Sequence, residues 1–376
     1  MAESFFTTLT LTFQAGASMN TGGPRVVGAG LFALDVIVRP DGQEAVHALG
    51  GSAGNVLHIL AALGWKSVPV GALGDDPAAR AVHEEFRKVN ADLRFLRCSD
   101  TKHTPVIYQH QLGVGATSTH RFSFACPGCG EARRPIWDND ADLALLHAEL
   151  PRSNVYFFDR PTRLGVELAE RYLQAGALVV FEPSSIGQDE VLFRRAVECA
   201  HIVKYSDERL DDLQRFHLRP DAIEIQTLGS RGLRYRIGSL KPEWVHVPAF
   251  RLPYVLDTAG AGDWCTAGMI FSLFRLAGEA QGLSVLENAL VFGQALSSLN
   301  CLTEGARGLQ KAWPRDKIVT IADDITRQWA VERRRLSRGS PYTWEVGLST
   351  AADALHKHAP EYARSSFRRL HRCMTL

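Results

Sequence analysis

No stretch of these 376 residues is apolar over the roughly 18–20 positions that a bilayer crossing requires, which excludes a membrane-spanning helix. Charge of one sign is not in excess: 42 Lys and Arg stand against 41 Asp and Glu, so the totals point to no nucleic-acid or polyanion partner. The first residues carry no basic start before an apolar core, which argues against a secretory signal. Residues 1–24 are Ser-, Thr- and Gly-rich and are expected to be a disordered extension, with Met19 an alternative start. A disulfide framework is missing too. The seven cysteines are mostly isolated in apolar or helical surroundings, as in a reducing, cytoplasmic protein. One C-x-x-C is present, at Cys126 and Cys129, and there is no second to complete a four-ligand zinc ribbon.

What is present centres on Leu256 to Phe271, L-D-T-A-G-A-G-D-W-C-T-A-G-M-I-F. Four residues with almost no side chain, Ala259, Gly260, Ala261 and Gly262, precede Asp263, and an apolar segment without proline follows to Leu276. A small-residue turn that opens a helix aims free N–H groups and the positive end of the helix dipole at one point. Such a point binds phosphate, and a carboxylate beside it can accept a proton from an attacking hydroxyl. The alternative is a plain glycine turn with Asp263 favoured only by the dipole. Either way the dipole and its N–H groups are expected to hold the Asp263 carboxyl low.

A second stretch, Leu49-Gly50-Gly51-Ser52-Ala53-Gly54-Asn55-Val56, leads into an apolar helix from Val56 to Leu63, with Ser52 or Asn55 as its cap. Gly28 to Ala33 fits the loose G-x-G-x-x-A dinucleotide pattern, which would suit a nicotinamide-dependent oxidoreductase. That pattern must open a helix, whereas Leu34 to Val38 reads as β. From Val155 onward, apolar strands and helices alternate: strands at Val155–Phe158, Leu178–Phe181, His201–Lys204 and Asp221–Leu228, helices at Leu164–Ala175 and Glu190–Cys199. This predicts an α/β fold with a mostly parallel sheet and helices on both faces. Asp159, Arg160, Glu182, Lys204 and Thr227 fall at the carboxyl ends of those strands, where ligands bind in such sheets. Phe32–Val46 and Thr104–Phe124 read as a separate small β-sheet.

Asp257-Thr258-Ala259-Gly260-Ala261-Gly262-Asp263 with Ala267-Gly268-Met269, and Gly50-Gly51 with Asn55, resemble the two signatures of the ribokinase-like (PfkB-type) carbohydrate kinases. The resemblance spans about residues 25–316 and implies a three-layer ribokinase-like fold with a small β-sheet lid over the sugar. It implies ATP-dependent phosphorylation of a sugar hydroxyl, with Asp263 as base and Gly260, Ala261 and Gly262 as the anion hole. Asp35, Gly50, Gly51, Asn55 and Arg160 would meet the sugar. Lys204, Thr227, Gly229, Gly232 and Asn288 would meet ATP. Asp257 would belong to a monovalent-cation site, and the lid would join two chains as a homodimer. Magnesium is where this chain departs. Lys204-Tyr205-Ser206-Asp207-Glu208-Arg209 puts Ser206 and Arg209 at the family's N-x-x-E positions, so Asp207 or Glu208 would act through water. Cys126 and Cys129 form either half a zinc site, with Cys98, His110 or His120 as possible partners, or a free or redox-sensitive thiol pair. A nucleoside kinase on the same fold and a catalytically silent sugar sensor are the other readings. Residues 317–376, with Arg333-Arg334-Arg335, read as a basic helical extension with a solvated face.

Overall fold

The structure, a computed structural model, describes residues 23–38, 46–112, 119–137, 149–211, 213–276, 283–336 and 348–356. Residues 1–22 and the last twenty therefore lie outside it, as do the tips of the expected lid.

The main sheet among the described residues has nine strands. Strands β1 (Arg25–Ala29), β4 (Lys66–Gly74), β5 (Leu96–Ser99), β8 (Val155–Phe158), β9 (Leu178–Phe181), β10 (Ile202–Ser206) and β11 (Ile223–Thr227) run parallel. Two antiparallel strands, β12 (Leu233–Ile237) and β13 (Lys241–Val247), close one edge. The order is β13-β12-β11-β10-β9-β8-β1-β4-β5. From β1 the chain goes first to β4 on one side and later to β8 on the other, so the switch point lies between β1 and β8.

Strands β8 and β9, at the middle of the sheet, are apolar at every position because both faces are covered. Along β8, Val155 and Phe157 enter one core while Tyr156 and Phe158 enter the other. Helices α3 (Arg163–Gln174) and α4 (Glu190–Cys199) cover the second face through Leu168, Tyr172, Phe193 and Val197. The first face carries α1 (Ser52–Ala62), α2 (Pro77–Lys88), α5 (Ala261–Leu276) and α6 (Leu283–Cys301). Helix α5 is buried from Asp263 to Leu273, which is why its sequence shows no polar face. Helices α7 (Gly308–Ala312), α8 (Arg315–Leu336) and α9 (Leu348–His356) follow.

The small sheet forms as the alternation predicts. Its order is β3-β2-β6-β7, with β2 (Ala33–Val38), β3 (Val46–Gly50), β6 (Val106–Leu112) and β7 (Thr119–Ser123). Its partners β2 and β6 are parallel, with Asp35 opposite Ile107. Gly28 to Ala33 opens no helix: Gly28 lies inside β1, and the chain passes directly into β2. That overturns the dinucleotide reading, because no helix N-terminus is there to receive a pyrophosphate. Among the described residues, no helix is long and apolar enough to cross a membrane.

The C-terminal basic segment is more than a solvated face. Ile318, Ala322, Ile325 and Trp329 of α8 and Leu348, Ala351 and Leu355 of α9 all enter the first core.

Helices α5 and α6 meet through two glycines. A Cβ on Gly268 would fall 2.9 Å from the Gly293 Cα, and one on Gly293 would fall 2.4 Å from the Cys265 carbonyl oxygen. The contact is backbone on backbone, so a side chain can be admitted only by spreading the helices. Gly293→Ala is expected to lose roughly 1–3 kcal/mol by overpacking, measured by urea unfolding; a loss under a few tenths would show that the helices part freely.

Candidate functional site

Two loops meet at the switch point. The Asp159 carboxylate after β8 is fully buried and accepts the N–H of Leu31 (2.9 Å), after β1, and of Ala53 (3.2 Å), in the first turn of α1. Arg160 pairs with the same carboxylate at 3.1 Å and donates to the Asp159 carbonyl at 2.7 Å. The guanidinium expected at the sugar is thus engaged with its neighbour.

Helix α1 starts at Gly51, whose φ of +80° only glycine adopts readily, and no side chain caps it. The expected Ser52 or Asn55 cap is absent, which frees Asn55. Its Nδ2 donates to Asp263 Oδ2 at 2.8 Å, across 208 positions of sequence. Gly50 is also fixed by contact: a Cβ there would lie 1.8 Å from Asp35 Oδ1. That oxygen is sealed from solvent without a hydrogen-bond partner. Burial pushes the Asp35 carboxyl up to about 7, against the pull of the Arg307 guanidinium.

The small-residue turn is shorter than its sequence suggests. Gly260 has φ +73°, and Ala261 and Gly262 already belong to α5. Gly262 is exposed, and Asp263, in the same helical turn, is 8 % exposed. The carbonyls four residues before Gly262 and Asp263 lie outside the helix. That of Ala259 instead accepts Asn300 Nδ2 at 3.0 Å. The helix start therefore opens toward solvent at Gly262 with its dipole intact.

Beneath it lies a buried polar group at the ends of β9 and β10. Lys204 Nζ donates to Glu182 Oε1 (2.7 Å) and to the Gly262 carbonyl (3.2 Å). Thr266 donates to Glu182 Oε2 at 2.5 Å. Burial opposes the Lys204 charge, but the Glu182 carboxylate outweighs it and holds the ammonium above the usual lysine range. Lys204 is 1 % exposed, so it supports the turn from below and is not on a nucleotide surface.

The same surroundings correct the expected acidity of Asp263. Burial pushes its carboxyl up to about 7, with Glu182 adding to the rise; the Asn55 hydrogen bond, Lys204 and Arg209 pull it down. The helix dipole alone suggested a low value, but desolvation by the packed α1–α5 interface is the larger effect.

Asp257 is 2 % exposed, and its two oxygens accept the N–H groups of Ala259 (2.7 Å) and Gly305 (2.8 Å). It ties the α5 turn to the loop after α6. Thr227 ends β11 with its hydroxyl 3.4 Å from the Tyr205 carbonyl. Gly229 and Gly232 both have positive φ, and a Cβ on Gly232 would meet the Val247 carbonyl at 2.2 Å, so packing alone demands that glycine. Asn288 lies half-buried on α6. On the turn after β10, Asp207 pairs with Arg231 and Glu208 is exposed. Cys126 sits in a tight turn, its N–H on the Glu131 carbonyl and its own carbonyl on the Gly130 N–H. Among the described residues no group of three or more His, Cys, Asp or Glu could hold a metal ion, so none of those residues completes a zinc site with Cys126 and Cys129. The side chains of His110 and His120 lie outside the described residues.

Sequence reasoning missed Arg307. It is 5 % exposed, and its Nη1 donates to the Leu49 carbonyl (2.6 Å) and to Asn55 Oδ1 (3.1 Å). Its Nη2 lies 3.4 Å from Glu85 Oε2. It stands in the polar stretch T-E-G-A-R-G, and nothing in one sequence tells that its arginine turns inward.

The family described as pfkB family carbohydrate kinase matches residues 26–312. The chain belongs to that family. It is 27 % identical over 296 residues to a fructokinase of Klebsiella pneumoniae, covering 71 % of this chain and 90 % of the relative. It is 29 % identical over 245 residues to the aminoimidazole riboside kinase of Salmonella typhimurium, covering 60 % and 74 %. The crystal structure of aminoimidazole riboside kinase from Salmonella enterica, complexed with aminoimidazole riboside and an ATP analog, superposes with a TM-score of 0.59 at 25 % identity. That match covers 79 % of this chain and 99 % of the other. Membership makes the chain a carbohydrate kinase of ribokinase-like fold and places the Asn55–Asp263 contact within the matched segment.

The elevated carboxyls carry a stability consequence. A carboxyl whose folded value exceeds its unfolded one stabilises fully below the unfolded value, and loses that contribution as pH rises through the folded one. For Asp263 and Asp35 this window runs from about pH 4 to 7. Asp263→Asn removes one such group and is expected to raise the melting temperature at pH 8 relative to wild type while leaving it little changed at pH 4. An equal shift at both pH values would show that Asp263 is not held up by burial.

Proposed function

We propose that this kinase transfers the γ-phosphate of ATP to a hydroxyl of a small sugar, with Asp263 as general base and the first turn of α5 as the anion hole. The observation that carries the reading is the Asn55–Asp263 hydrogen bond beside an exposed, side-chain-free helix start. Asn55 and Asp35 supply polar groups for a polyol, and Asp35 Oδ1, sealed and unpartnered here, would accept a sugar O–H once its cover opens. With its carboxyl near 7, Asp263 is a base matched to neutral pH, strong enough to accept a proton and still ionised in good part. N–H groups at Gly262 and Asp263 face the point where charge develops on the transferred phosphoryl group. Lys204, neutralised by Glu182, fixes the Gly262 carbonyl and so the direction of those donors. The small sheet is suited to exclude water, which competes with the sugar hydroxyl as acceptor.

Magnesium is implied by the family, and this chain offers it little. Asp207 is paired with Arg231, and Ser206 and Arg209 replace the usual amide and carboxylate. Mg²⁺ keeps most of its ligands as water and phosphate oxygens, so Glu208, exposed on that turn, would hold it through water. When bound it supplies charge neutralisation on the phosphates. Asp257 is committed to two backbone N–H groups, and a monovalent cation would have to share it.

A nucleoside substrate is the second reading, favoured by the similarity to aminoimidazole riboside kinase. ADP production measured with D-fructose, D-ribose, aminoimidazole riboside and adenosine separates the two. If none of a wider panel of sugars and nucleosides stimulates it, the silent sensor becomes the better account.

Asp263→Asn should lower kcat by about 10²–10⁴, or roughly 3–5 kcal/mol, with ATP affinity nearly unchanged. In the wild type kcat/KM should fall as pH drops through about 7, since only ionised Asp263 accepts the proton. Gly262→Ala probes the anion hole separately. A Cβ there meets nothing closer than 3.8 Å, so the fold should tolerate it. Its methyl group would stand beside Glu182 Oε1 and Lys204 Nζ at this exposed position, however, and should raise the KM for ATP. The reading is falsified if Asp263→Asn keeps most of the substrate-dependent ADP production.

A further inference from the structure

We propose that Arg307 is a positioning residue that fixes the orientation of the Asn55 amide, so that its nitrogen and not its oxygen faces Asp263. The inference rests on the reading of Asp263 as the base.

An asparagine amide has one end that accepts and one that donates, and a half-turn exchanges them. Arg307 has donors only. Its Nη1 lies 3.1 Å from one end of the Asn55 amide, so that end must be the oxygen. The nitrogen is then left for Asp263 Oδ2, at 2.8 Å. An N–H donor facing a carboxylate favours its ionised form. In the turned amide, the oxygen would face Asp263 and accept a proton from the carboxylic acid, which favours the form that cannot act as base. Arg307 selects against that arrangement, because the turn would set the amide N–H₂ against the guanidinium.

The arginine is itself held on several sides. Its Nη1 also donates to the Leu49 carbonyl at 2.6 Å, and Glu85 balances its charge. The loop that carries it is locked by Asp257 on the Gly305 N–H, by Asn300 Nδ2 on the Gly305 carbonyl (3.3 Å), and by Trp264 Nε1 on the Ala306 carbonyl (2.9 Å). The charged groups acting on Asp263 come from four other elements: Glu182 after β9, Lys204 on β10, Arg209 on the following turn and Arg307 from the loop after α6. Among these only Arg307 reaches Asp263 through an amide with two orientations.

Arg307→Gln and Arg307→Lys distinguish this role from a merely structural one. Glutamine can donate or accept, so it leaves the Asn55 amide free to turn. Lysine can only donate, so it keeps the amide oriented. In Arg307→Gln the acid limb of kcat/KM should move to higher pH. A one-unit move cuts the rate about tenfold well below the limb, with most of it recovered at pH 9. In Arg307→Lys the limb should stay where the wild type has it. A glutamine variant equally impaired from pH 6 to 9, or one with an unmoved limb, overturns the proposal. If Asp263→Asn remains active, the reading of the base fails; if it is inactive while the Arg307→Gln limb is unmoved, only the present inference fails. Loss of the Arg307 charge would by itself move the limb the same way, so a wild-type crystal structure at about 1.0 Å, fine enough to show hydrogens, decides between the two, and serves also if the glutamine variant does not fold. Amide hydrogens on the atom facing Asp263 support the proposal, and their presence on the atom facing Arg307 refutes it.

Discussion

A carboxylate kept out of water and yet able to ionise is the constraint on which the rest of this structure depends. Asp263 is packed between α1 and α5, with Glu182 nearby to raise its affinity for a proton. Left alone, desolvation would push it further toward its protonated form. Asn55, Lys204 and Arg209 bring it back to the neutral range. Each comes from a different part of the chain, so the fold must be complete before the group has its acidity. The same packing requires Gly268 and Gly293 where α5 crosses α6, since a thicker contact would shift the helix that carries the carboxylate.

Loop order is the second requirement. The turn before α5 and the loop after α6 have little regular structure, yet both are pinned by buried side chains. Asp257 uses both oxygens on their backbone N–H groups, and Asn300 Nδ2 donates to the Ala259 and Gly305 carbonyls of the same two segments. Asp159 does the equivalent at the switch point of the sheet, joining the ends of β1 and β8 to the first turn of α1. Loops held by buried carboxylates such as Asp257 and Asp159 are costly to build.

Much of this was legible in the chain, and for identifiable reasons. The β–α alternation after Val155 is plain because strands covered on both faces must be apolar throughout, and Leu178–Phe181 and Glu190–Cys199 match their observed bounds. Gly260 and Gly51 stand out because positive φ leaves few other choices. The acidity of Asp263 was not legible. A sequence shows the helix start that lowers it, and hides the tertiary burial that raises it. Arg307 was hidden for the same reason, since an arginine in a polar loop ordinarily points to water. The cap expected from Ser52 or Asn55 failed because Asn55 is turned inward toward a residue some two hundred positions away.

Helices α8 and α9 lie beyond residue 312, where the family match ends, and yet they finish the core on which α6 rests. Tyr254, three residues before Asp257, reaches the Ala352 carbonyl of α9 at 3.3 Å. A protein trimmed to the segment shared with its relatives would thus lose Ile318, Ile325, Trp329, Leu348 and Leu355 from the first core, and Tyr254 would lose its bond to α9. Ancestry and mechanical integrity draw different borders in this chain: what is inherited in common ends at one residue, and what must be present for it to stand extends some forty residues further.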